Sequence, residues 1–164
     1  MKNSMIRVNT IIHHPFFIEE VSNICNDEEN RIYCKHDMDH SLTVARLMMI
    51  ISNEEGHSFS KEHIYAAALL HDIGRSHQYR KGTPHVVESA KIASVILPEC
   101  GFLEEEINQI TSAILSHSGS GDIKRTPFGR ILYIADKKSR PCFACSSEKN
   151  CNWKKEKKNL EIEY

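Results

Sequence analysis

At 164 residues, with 40% hydrophobic and 26% charged residues and a formal net charge of −1, the chain has the composition of one ordinary globular domain over 1–164. That balance excludes bulk nucleic-acid binding, which needs a basic excess, so any phosphate recognition has to be local. Met1–His14 holds no long apolar stretch, and nowhere do roughly 18 apolar residues run together, so neither a signal peptide nor a membrane span is expected and the location expected is cytoplasmic.

Helix-period patterns dominate and strand patterns are nearly absent, which predicts an all-α bundle of about six helices. The first covers about 15–29. The second runs from about Asp37 to Glu55, with Val44, Leu47 and Ile51 inward, and Gly56 stops it. Ser60 caps a third that runs to Ile73. Thr83-Pro84 opens a fourth, closed by Pro98 and Gly101. A fifth spans about 104–116, with Leu103, Ile107, Ile110 and Ile114 inward. Gly119–Gly121 reads as a loop, and Thr126-Pro127 opens a last helix that ends before Pro141. The remainder, 141–164, is charged and rich in cysteine.

Titratable side chains extend the inner stripes of five of these helices. His40 precedes Val44 by four residues and Leu47 by seven; His71 follows Ala67 and Ala68 by four and three. His85 precedes Ser89 and Ile92, His117 follows Ile110 and Ile114, and Asp136 follows Leu132 and Tyr133. Asp72 stands beside His71. Burying each alone would cost several kcal/mol, whereas gathering them around cations removes that cost. His40, His71, Asp72 and Asp136 are therefore expected to form a metal site, joined by His85 and His117. Imidazole and carboxylate ligands suit Fe, Mn, Ni or Zn without choosing among them.

The order His40, His71-Asp72, Asp136, in the contexts His40-Ser-Leu-Thr-Val-Ala45, Ala67-Ala-Leu-Leu-His-Asp-Ile-Gly74 and Ile131-Leu-Tyr-Ile-Ala-Asp136, resembles the HD-domain superfamily of metal-dependent phosphohydrolases. The resemblance covers about 34–140 and is nearest to small bacterial, Firmicute-like members with a cysteine-rich tail. It implies an HD-domain bundle holding two divalent ions. Asp72 would bridge them, His40 and Asp136 would help hold one, His85 and His117 the other, with His71 completing the set. The implied reaction is hydrolysis of a phosphate ester or anhydride, of a nucleotide or another small phosphorylated metabolite, by a metal-activated water. Two rivals stay open: a diiron HD-type oxygenase, and a metal-stabilised nucleotide-binding module without turnover.

Asp72 is also a candidate proton acceptor for that water. Arg75 and Lys137, one to three residues from a ligand, are the preferred donors to phosphate oxygens, ahead of Arg80 and Lys81 in the loop before His85, and of Lys138 and Arg140. His36 and His77 are assigned supporting or surface places. Six cysteines without a secretion signal read as thiols or metal ligands rather than disulfides. Cys142, Cys145 and Cys151 form a compact cluster suited to structural zinc or, less well, an iron–sulfur centre. Cys34 is the fourth candidate, because Cys34 lies six residues before His40 and Cys142 six after Asp136. Free thiols and, less well, redox or disulfide chemistry are the competing readings. Cys25 and Cys100 read as small core residues, Trp153 as packing the tail, and Lys154–Lys158 as solvated. The oligomeric state is left open.

Overall fold

The computed structural model describes residues 5–119 and 123–164. Its α-helices are α1 (Ile6–His13), α2 (Pro15–Asp27), α3 (Met38–Glu54), α4 (Lys61–Leu70), α5 (Arg75–Lys81), α6 (His85–Glu99), α7 (Glu104–Ser116) and α8 (Pro127–Lys138). Single 3-10 turns at Cys142–Ala144, Glu148–Asn150 and Lys155–Lys157 follow. The described residues contain no strand, and the all-α class stands as expected.

Local chemistry sets the helix starts. Asp37 accepts from the His40 N–H at 2.9 Å, Ser60 from His63 at 3.1 Å and Thr126 from Gly129 at 3.1 Å, each satisfying an orphan donor of a first turn. The helix α4 forms the middle of the bundle. Its Ala66-Ala67-Ala68-Leu69-Leu70 run is buried on every side, as a helix apolar all round must be. It packs against α1, α3, α6 and α7, while α8 lies against α3 and α7. Arg7 ties the N-terminus down through Glu62 and Glu106, at 2.6 and 2.7 Å.

Two helices were not anticipated. α1 is a short segment ended by the extended His14 before Pro15. α5, which includes Arg80 and Lys81, replaces the expected loop; Ser76 is its one buried residue, so it carries no apolar stripe to read. It ends at Gly82, whose φ of 72° is the left-handed cap conformation. α4 stops at Leu70 rather than Ile73, and Pro98 lies inside the last turn of α6. Leu103, expected inward, is 71% exposed, because it occupies the extended cap position of α7 and so falls off the helical stripe. Gly119 has φ 93°, while 120 and 121 of the expected loop lie outside the described residues.

Candidate metal centre

Helix ends deliver every side chain of the cluster. His40 stands in the first turn of α3, His71 follows the last residue of α4, His85 begins α6, His117 follows α7 and Asp136 lies in the last turn of α8. The chain turns over residues 71–74, where Ile73 N bonds Leu70 O and Arg75 N bonds Asp72 O. Leaving the helix there lets two consecutive side chains aim at one place, which a continuous helix forbids. All six side chains are buried, His71 and His117 completely.

The Asp72 carboxylate divides the cluster. Its Oδ2 lies 3.1 Å from His71 Nε2 and 3.6 Å from His40 Nε2, and Asp136 Oδ1 is 3.4 Å from His40 Nε2 and 3.7 Å from His71 Nε2. Asp72 Oδ1 faces the other way, 3.4 Å from His85 Nε2 and 3.6 Å from His117 Nε2. Among the described residues, two groups have ligand atoms within 4.8 Å of one another: His40, His71, Asp72 and Asp136, and Asp72, His85 and His117.

The far nitrogens are fixed from behind. His71 Nδ1 donates to the Ala68 carbonyl at 2.7 Å, and His117 Nδ1 to that of Ile114 at 2.6 Å. His85 Nδ1 donates to Gln78 Oε1 at 2.7 Å. The Ser139 hydroxyl gives its own hydrogen to the Asp136 carbonyl, so its oxygen receives His40 Nδ1–H at 3.2 Å. Each ring therefore aims Nε2 inward, the second-sphere pattern of metal-bound histidine. His71 Nε2, Asp72 Oδ2 and Asp136 Oδ1 are buried without any hydrogen-bond partner. A cation is what such a set lacks, and the donors fit one.

Charge points the same way. Burial works against the Asp72 anion, but His71 and Arg75 overcome it and hold the carboxyl well below its usual range. At Asp136 burial is likewise overcome, by the His40 and His71 imidazoles that face it and by Lys137. Burial disfavours charge on His71, yet Asp72 and Asp136 prevail and raise it to about 9. At His85 burial and the nearby Arg75 push the imidazole down to about 3, leaving a neutral ring.

The expected cations differ in placement. Arg75 Nε is 2.8 Å from Asp72 Oδ1, and Lys137 Nζ is 2.7 Å from Asp136 Oδ2. Arg140, expected behind them as a donor to phosphate, closes on the cluster. It is 7% exposed, with Nη2 at 3.2 Å from His40 Nε2 and 3.6 Å from Asp136 Oδ1. Arg80 instead pairs with Asp27 and Lys138 with Glu163, both away from the cluster, and Lys81 is exposed.

Behind Asp72 stands a support that sequence reasoning missed. Glu28, 3% exposed, accepts from the His36 backbone at 2.7 Å, from His36 Nδ1 at 2.5 Å and from Tyr79 Oη at 2.5 Å. Burial opposes its charge, but these bonds bring its carboxyl to about 2. His36 Nε2 is then held 3.9 Å from Asp72 Oδ2. His77 is peripheral, 3.3 Å from Glu20. Glu28 extends the inner stripe Phe17, Val21, Ile24, so the test applied to the histidines would have found it.

The tail closes over one side. Cys34, Cys142, Cys145 and Cys151 share a cavity of about 500 Å³ with Asp136 and Arg140. Cys100 is buried as expected, but Cys25 is exposed, on the outer face of α2. Trp153 is half-buried in a cleft with Tyr133 and Ile134 of α8. Lys158, expected in solvent, has a side chain only 9% exposed, because it bonds Glu148 Oε1 at 2.8 Å.

The sequence profile of the HD domain matches residues 37–140. A protein of Clostridium beijerinckii, named only as uncharacterized, is 43% identical over 160 residues, covering 98% of this chain and 100% of that one. A crystal structure of a predicted HD superfamily hydrolase from an uncultured Thermotogales bacterium is similar with a TM-score of 0.57 at 28% identity, over 76% of this chain and 68% of that one.

Proposed function

Because this chain belongs to the HD-domain family, we propose that it is a metal-dependent phosphohydrolase holding two divalent ions. His40, His71, Asp136 and Asp72 Oδ2 would take one; His85, His117 and Asp72 Oδ1 the other. The observation that carries this reading is the divided Asp72 carboxylate, whose two oxygens serve two groups of inward-facing nitrogens. Two such ions polarise a phosphoryl oxygen and make a nucleophile of water near neutral pH.

The protein's own part is positioning and charge. Arg75, Lys137 and the buried Arg140 border the cluster on the cavity side and would bind phosphate oxygens as charge grows there. Asp72 would set the spacing of the ions and accept the proton of the water. Its depressed pKa suits a ligand better than a proton store, so that proton passes on to solvent. Tyr33 and Trp153 give the same cavity two aromatic walls, which favours a nucleotide or a similarly small phosphorylated metabolite as substrate.

Metal-stripped protein reloaded separately with Mn, Fe, Ni or Zn is expected to release phosphate from at least one member of a panel of nucleotides and phosphate esters. Bound metal with no hydrolysis across the panel would overturn the reading, and oxygen consumption by the iron form would replace it with the oxygenase one. Gln78→Ala removes the acceptor of His85 Nδ1 and should weaken the second ion by roughly 10–100-fold, leaving the first in place. Manganese titration of stripped protein measures both.

A further inference from the structure

Four thiols from three separate stretches line one cavity at the hub of the tail. Cys34 lies between α2 and α3, Cys142 and Cys145 flank the turn after α8, and Cys151 follows the Glu148–Asn150 turn. All four line the single cavity described above, and Cys142, Cys145 and Cys151 each act electrostatically on Cys34. None is in a disulfide; Cys142 is buried and the others are half-buried.

The tail needs something at that hub. Phe143, Leu160, Ile162 and Tyr164 are all exposed, and Cys142 is the one buried apolar side chain after Pro141. The segment nevertheless keeps a defined path. Phe143 N bonds Asn159 O at 3.0 Å, Asn159 Nδ2 bonds Lys137 O at 2.7 Å, and Ser147 Oγ bonds Ile32 O at 2.6 Å. A stretch this poor in apolar burial is ordinarily held by a cross-link or a metal. Counter-charge is at hand, since Arg140 acts on Cys34, and Lys158 lies near Cys142 and Cys151.

We propose that Cys34, Cys142, Cys145 and Cys151 form a tetrathiolate site for a thiophilic divalent cation of the zinc class, which pins the tail to the bundle as a wall of the cavity beside Asp136 and Arg140. This site does not depend on the hydrolase reading. The thiols share the cavity without closing to mutual ligand distance, so the cation has to draw them in. Metal–sulfur bonds of about 2.3 Å bring sulfurs to about 3.8 Å apart. As each bond forms, its thiol proton leaves to solvent.

Cobalt(II) titrated into the stripped, reduced full chain is expected to give thiolate-to-cobalt charge-transfer absorption, which the His/Asp ligands cannot produce. The band should saturate once its site is filled, vanish on adding excess zinc, and lose intensity in Cys34→Ser and Cys145→Ser as one thiolate in four is removed. Absence of the band, its survival at undiminished intensity in either variant, or sulfide-containing iron in the purified protein would overturn the proposal. A second readout needs no variant. In zinc-loaded wild type, exposed Cys25 should react at once with Ellman's reagent, and Cys34, Cys145 and Cys151 only after a strong chelator; equal rates with and without chelator would sink the site.

Discussion

Asp72→Asn is expected to release both ions and to abolish phosphate release while leaving the helical fold in place. The amide has nearly the volume of the carboxylate but carries no charge and only one oxygen. It can face His40 and His71, or His85 and His117, with an acceptor, never both, and the remaining side presents an N–H₂ to nitrogens that also point inward. Losing an outer partner of a metal ligand costs about 10–100-fold in affinity or activity, so losing the shared ligand should cost more than that. Arg75 also loses its 2.8 Å partner, which leaves its guanidinium beside the His85 imidazole without that carboxylate. Metal analysis, turnover and far-UV circular dichroism on the same sample separate the outcomes. Two equivalents of manganese with undiminished turnover would remove Asp72 from the bridging role.

Gly74→Ala should destabilise the protein and loosen the second half of the centre more than the first. A methyl group there would stand 2.5 Å from Ser89 N, 2.8 Å from the His85 carbonyl and 2.8 Å from Glu88 Cβ. Two of these three atoms are backbone and cannot swing aside. The strain falls on the first turns of α6, whose leading residue is His85, and on the 2.9 Å bond from Gly74 N to Ser89 Oγ. Overpacking of this kind costs about 1–3 kcal/mol. In a chain of this size Tm falls by roughly 2–4 °C for each of those kcal/mol. Calorimetry and manganese titration should show a lower Tm together with a weakened second ion; an unchanged Tm would mean α6 shifts freely.

The sequence made these positions visible because buried charge is expensive and helical periodicity is strict. His40, His71, His85, His117 and Asp136 each extend an apolar stripe by three, four or seven residues, and all five are buried at one place. Where periodicity is missing, reading fails. α5 buries only Ser76, so nothing marked it as a helix. Arg140 follows Lys137-Lys138-Ser139, a run that reads as a solvated face, and only the turn after α8 folds it back onto His40. Leu103 fits the stripe of α7 in number but sits one residue before the helical geometry begins. The path of the tail was not legible, since its contacts run between polar groups far apart in sequence.

The enclosure of α4 has a further consequence, which concerns how the molecule opens. His71 and Asp72 are attached to the most protected helix of the bundle, so exposing them requires disrupting the packing of α1, α3, α6 and α7 together. Their opening free energy therefore approaches that of global unfolding, whereas residues 141–164 lack such a core and, until a cation joins their cysteines to Cys34, can detach at a small fraction of it. The molecule combines a centre that fluctuates only with the whole fold and a cavity wall that fluctuates alone. Access to the cavity is thereby separated from the integrity of the centre it leads to.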